Sequence, residues 1–232
     1  MSVSADDKSG RRGKALGPAT LVGLTIALLL PIPPYREPFL HLLMTDWGLS
    51  WISAWECVGL VSKLVVIIAL PLLVVYWERR PLTSIGLRAL STKDLLAAIA
   101  IFLAYLLISP CLTWIADRIP VISAELSRGA VMYASLPKWL DWSGLLANGI
   151  AEEIGFRGYA IERIEELTGS TLLGASVPFV VEVLVHAPVW GLHGMLLKAP
   201  VLLLLVALYL WRRNLPACVL AHVLIDIRAF EF

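Results

Sequence analysis

The chain contains apolar runs too long for core strands and too poor in charge for the surface helices of a soluble domain. The clearest, Gly59–Trp77 (GLVSKLVVIIALPLLVVYW), holds one lysine and stops at Glu78-Arg79-Arg80. The hydrocarbon core of a bilayer is about 30 Å thick, so about 20 mostly apolar residues cross it as a helix. LLAAIAIFLAYLLISPCLTWIA and VLLLLVALYLW have the same character. The length test gives about seven spans, at roughly 18–33, 54–77, 94–116, 142–162, 171–190, 195–211 and 215–230. Composition agrees. Hydrophobic residues make up 59% of the chain and charged residues 16%, against roughly 45–50% and about 25% in soluble domains.

These patterns predict an all-α integral membrane protein: a polytopic bundle with amphipathic connectors, in one membrane domain covering 1–232. A polar, basic tail occupies 1–17, and the apolar run after it ends in Pro31-Ile32-Pro33-Pro34 without a small-x-small cleavage site. That reads as an uncleaved signal anchor rather than a signal peptide. ERRPLTSIGLRALSTKD (78–94) sets Ile85, Leu87 and Leu90 among basic residues, as in a helix lying on the membrane surface. Asp117 to Lys138 mixes charges with apolar residues and is expected to fold back over the helices.

Lysine and arginine set the orientation. Lys8, Arg11, Arg12 and Lys14, then Arg79, Arg80, Arg88 and Lys93, then Arg212 and Arg213, fall on one side if the spans alternate. The expectation is a multi-pass protein of a prokaryotic plasma membrane with its N-terminus in the cytoplasm. A net charge of +1 offers no field for nucleic acid, leaving the bilayer as the evident partner. Cys57, Cys111 and Cys218 are an odd, dispersed set in apolar surroundings, without a CxxC pair, and read as small buried hydrophobes.

Ionisable groups at membrane depth are costly, which makes them functional candidates. They gather in the C-terminal half: Glu152-Glu153 with Arg157, Glu182 with His186, then His193, then His222 with Asp226. This places the chemistry in a catalytic helical core, 142–230. On a helix Glu153 and Arg157 are i and i+4, in the favourable acid-then-base order. Glu152 lies about 100° around the helix from its neighbour, so one carboxylate can be neutralised locally while the other points elsewhere. His222 and Asp226 are again i and i+4, letting the carboxylate orient the imidazole. Glu182 and His186 repeat that spacing. Structural ion pairs tying helices together would use the same residues.

A-E-E-I-G-F-R-G-Y (151–159) resembles the EExxxR motif of the CAAX protease and bacteriocin-processing (CPBP, Abi) family, glutamic-type intramembrane proteases related to type II CAAX prenyl endopeptidases. His186 stands where that family carries FxxxH, and His222-Val-Leu-Ile-Asp226 resembles its HxxxN or HxxxD motif. The resemblance covers about 145 to 230. It implies an endopeptidase acting on a membrane-bound peptide or protein, with a polar cavity open towards the cytoplasm. It also implies Glu152 as the base that activates water and His186 as a holder of that water. His222 and Asp226 would bind the oxyanion, with Glu153 and Arg157 in support. The motif's aromatic, four residues before the histidine, is Glu182 here, and His193 is a rival for the histidine role.

The motifs of other intramembrane proteases are absent: no HExxH, no GxSG and no paired GxGD. No cofactor is expected; a zinc-dependent form would draw on Glu152, His186 and His222. Two other classes share these features: a non-proteolytic scaffold or partner-binding protein on the same fold, and a transporter with a polar site at the midplane.

Overall fold

The computed structural model describes residues 17–30, 37–119, 131 and 133–230, apart from the side chains of 188–190, 193, 194 and 230. Every regular element among them is helical. In chain order they are α1 (Pro18–Leu29), α2 (Glu37–Thr45), α3 (Trp51–Leu72, continued by a π-helical turn over Leu73–Trp77), a 3₁₀ turn (Leu82–Ile85) and α4 (Thr92–Ala116). Then come α5 (Lys138–Glu152), a π-helical segment (Glu153–Ile161), α6 (Glu162–Thr168), α7 (Thr171–Val185), α8 (Ala187–Arg212) and α9 (Leu215–Phe230). This is the expected all-α, membrane-like bundle.

Among the described residues, three stretches are long and apolar enough to cross a bilayer: Trp51–Trp77, Thr92–Ala116 and Met195–Arg212. Pro18–Leu29 and Thr171–Val185 are shorter apolar helices. α4 is the most peripheral span. Only 11% of its most apolar window is buried, and Leu96, Leu103 and Leu107 point outward from it. In lipid such a face costs nothing, because the acyl chains are as apolar as leucine. Pro71, Pro110, Pro178 and Pro200 all lie inside helices, where bilayer helices tolerate them because neighbours re-satisfy the freed backbone groups.

Ser91 accepts from the Asp94 backbone N–H while Asp94 accepts from the Ser91 backbone, a capping box that starts α4. Several boundaries moved. α3 begins at Trp51 rather than 54, and the fourth span begins at Lys138 and changes its winding at Glu153. The connector 78–94 is not a surface helix: before α4 begins at Thr92 its helical part is the 3₁₀ turn, and Ile85 is wholly buried. The core takes Ile85, while Leu87 and Leu90 stay exposed. Most of the segment between Asp117 and Lys138, and all of the N-terminal tail before Gly17, fall outside the described residues.

The π segment is the axis of the bundle. All nine of its residues are buried, and it packs against α1, α3, α7 and α9. Gly158 makes this possible, since a Cβ there would lie 2.8 Å from the Ile85 backbone oxygen. Gly149 does the same for α5 against α9, where a Cβ would meet Val223 Cγ2 at 2.8 Å. At one end of the bundle Arg213, just beyond α8, donates to Glu162 at 2.8 Å and Glu165 at 2.7 Å. Burial works against its charge, but the two carboxylates more than offset this and hold its pKa above the usual arginine value.

Candidate active site

The change from α to π winding falls between the two glutamates, with α5 ending at Glu152 and the π segment opening at Glu153. Such i→i+5 turns recur at functional sites. Here the wider turn keeps Glu153 and Arg157 on one line, with Arg157 Nη1 3.4 Å from Glu153 Oε1 and both side chains fully buried. Arg157 also pairs with Glu182 of α7 and reaches the Leu202 carbonyl of α8 at 3.4 Å. One guanidinium thus joins three elements.

Glu182 finds a place that its sequence spacing concealed. Its carboxylate turns to Arg157 and not to His186. His186 lies at the break between α7 and α8, and its Nδ1 is 2.8 Å from the Glu182 backbone oxygen. The expected carboxylate–imidazole pair is therefore a carbonyl–imidazole pair, because the larger demand on the carboxylate comes from a buried arginine. A carbonyl only accepts, so Nδ1 carries the hydrogen and, in the neutral ring, Nε2 presents its lone pair. Between His186 and His193 the helical backbone breaks at Gly191, whose φ of 57° and ψ of −147° are non-helical. The side chain of His193 lies outside the described residues.

His222 of α9 is 3% exposed and faces three carboxylates. Nδ1 donates to Glu153 Oε1 at 2.7 Å. Nε2 is 3.4 Å from Asp226 Oδ2 and 3.7 Å from Glu152 Oε2. The local i,i+4 contact with Asp226 exists, yet the short bond goes to Glu153 from a different helix. Sequence reasoning passed over Lys198 of α8, whose Nζ is 3.3 Å from Asp226 Oδ1. Its signal was available: it is a lysine inside a predicted span, the same criterion that singled out the others.

Glu152, Glu153, Arg157, Glu182, His186, Lys198, His222 and Asp226 are linked in one chain of contacts. Four carboxylates share it with two permanent cations and two imidazoles. Saturation is incomplete: Glu152 Oε2, Glu153 Oε2, Glu182 Oε2 and Arg157 Nε are buried without a hydrogen-bond partner. Buried polar atoms are normally paired, and exceptions call for an explanation such as catalysis. Glu153 and Glu182 each engage Arg157 through their other oxygen, whereas Glu152 has no cation of its own and is 15% exposed. Among the described residues no three His, Cys, Asp or Glu side chains converge as a metal-holding group.

The stretch that carries these residues has a counterpart among known proteins. Residues 135–228 match the family model described as type II CAAX prenyl endopeptidase Rce1-like. The resemblance read from the three motifs is borne out over this stretch, less than half of the chain. No curated protein and no solved structure matches.

Proposed function

We propose that the protein is an intramembrane endopeptidase that hydrolyses a peptide bond of a membrane-associated, CAAX-type substrate with water activated by Glu152. The observation that carries this reading is the asymmetry of the glutamate pair. Glu153 is held by Arg157 and His222, while Glu152 keeps a buried, unpaired oxygen beside His222 Nε2. A carboxylate free of a dedicated cation at a desolvated site has the character of a general base.

In this mechanism Glu152 takes a proton from water as the water oxygen attacks the scissile carbonyl carbon. His186 Nε2 accepts the water's other hydrogen and fixes its direction. A proton on His222 Nε2 stabilises the oxyanion of the tetrahedral intermediate, a contribution worth about 3–4 kcal/mol for one donor elsewhere. The intermediate collapses with breakage of the C–N bond. Glu152 returns its proton to the leaving nitrogen, so water is consumed and a carboxyl and an amine are released. Glu153 holds His222 through Nδ1, and Arg157 holds Glu153. The lysine and arginine bias supports a cytoplasmic N-terminus, and the short loops and compact length suit a prokaryotic plasma membrane.

The test compares new protein termini in membranes of cells producing wild-type or Glu152→Gln protein at equal, folded levels. Termini that depend on Glu152 establish proteolysis and identify the substrate; identical profiles in the native host favour a scaffold. A chelator is expected to leave cleavage unchanged. Loss of cleavage that added zinc restores would overturn the metal-free mechanism.

A further inference from the structure

The third motif admits Asn or Asp, and this chain has Asp226. An asparagine amide can donate to an oxyanion, but an ionised carboxylate only accepts. A carboxylate beside a developing negative charge would oppose it. Something in the structure has to alter what Asp226 does.

Lys198 is the group in position. Its Nζ is 3.3 Å from Asp226 Oδ1, while the other oxygen, Oδ2, is 3.4 Å from His222 Nε2. One carboxylate is divided between an ammonium on α8 and an imidazole on its own helix. The Asp226 side chain is 3% exposed and that of Lys198 28%, so the aspartate depends on the lysine for a permanent counter-charge at membrane depth. Rotation about the Cβ–Cγ bond moves both carboxylate oxygens together. Pinning one therefore fixes the other.

We propose that Lys198 is a positioning residue for the endopeptidase reaction, an inference that rests on that functional reading. Its ammonium holds Asp226 by one oxygen, neutralises it, and sets the other oxygen against His222 Nε2. The ring is thereby oriented for the oxyanion. The neutralised carboxylate competes weakly for the Nε2 proton, so that proton remains available to the substrate. Lys198 and Asp226 act as one unit, doing what a neutral side chain would do alone.

The test uses the full chain in lipid nanodiscs, with Lys198→Met, Asp226→Asn and the double variant. The sequence has four histidines, so imidazole nitrogen resonances of ¹⁵N-histidine-labelled protein can be assigned by single His→Gln changes. Lys198→Met is expected to move the His222 resonances in the wild-type background and to leave them unmoved in the Asp226→Asn background. With a farnesylated peptide ending in a Cys-aliphatic-aliphatic-X sequence as probe, Lys198→Met is expected to lower kcat roughly 10- to 100-fold. KM should stay within about twofold, as for a group acting in the transition state. In the Asp226→Asn background the same change should cost less than about threefold, because coupled residues do not add. The double variant also removes the unpaired carboxylate, which guards against a variant that merely unfolds. His222 resonances that ignore Lys198, or equal losses in both backgrounds, would overturn the proposal. Wild-type protein that leaves the peptide intact and yields no Glu152-dependent termini, while His222 still responds to Lys198, would sink the endopeptidase reading and keep the coupling.

Discussion

Arg157 and Arg163 belong to the same helical stretch, and each is almost wholly buried, but their surroundings differ in what is left unpaired. Arg163 donates to Glu78 from Nε at 3.0 Å and from Nη2 at 2.6 Å, to Glu166 from Nη1 at 3.2 Å and to Ser84 at 3.1 Å. Glu78 also accepts from Tyr159 at 2.7 Å and Thr20 at 3.2 Å. Every polar atom of the Arg163 guanidinium has a partner. Around Arg157 four buried atoms lack one, including its own Nε. Charge and burial are nearly equal, so neither separates structure from chemistry. Saturation does: a completed network locks the α3 end and α6 against the π segment, whereas an incomplete one keeps acceptor capacity at the site.

The strongest way to break this comparison is at Glu152. Replacing it with Gln is expected to lower cleavage about 10²- to 10⁴-fold, the usual contribution of a general base. The thermal midpoint should hold, since the carboxylate has no cation to lose. A large drop in stability with cleavage intact would place Glu152 with the structural networks. Arg163→Met is the converse experiment. Leaving Glu78 buried without its cation should cost about 3–5 kcal/mol in denaturation from mixed micelles. Turnover per folded molecule should be preserved, and a selective loss of turnover would show that the saturated network is part of the reaction.

Gly158→Ala is a smaller perturbation that touches both networks. A Cβ 2.8 Å from a backbone oxygen forces the 3₁₀ turn and the π segment apart, at about 1–3 kcal/mol. If stability is unchanged, the close approach of Ile85 is not needed. At the low end, Lys138 and Asp141 stand 3.7 Å apart with the lysine side chain 78% exposed. Lys138→Ala should leave the midpoint unmoved, because an exposed pair is screened and held loosely. A clear shift there would mean that exposure is a poor guide to an ion pair's worth in this protein.

Much of the candidate site was legible because its signals are local. Glu153 with Arg157 and His222 with Asp226 are one-turn spacings that any helix brings together. The costly residues were conspicuous within apolar spans. The misreadings fall where a side chain had more than one possible partner. Glu182 was one turn from His186 in sequence but met Arg157 in space. His222 meets Asp226 on its own helix as expected, and packing adds a shorter bond to Glu153 from another helix. The connector 78–94 had an amphipathic pattern, and the core took Ile85 from it.

Sequence by itself determined that the chain is an all-helical membrane protein, where its main spans fall and which residues carry charge into them. Those follow from hydropathy, length and helical period, which are properties of neighbours along the chain. Tertiary structure alone decided the π winding at Glu153, the pairing of Arg157 with Glu182, and the meeting of Lys198 with Asp226. A buried charge takes the counter-charge that packing brings within about 4 Å, where the interior's low dielectric makes the attraction strong. Helices remote in sequence make that choice together.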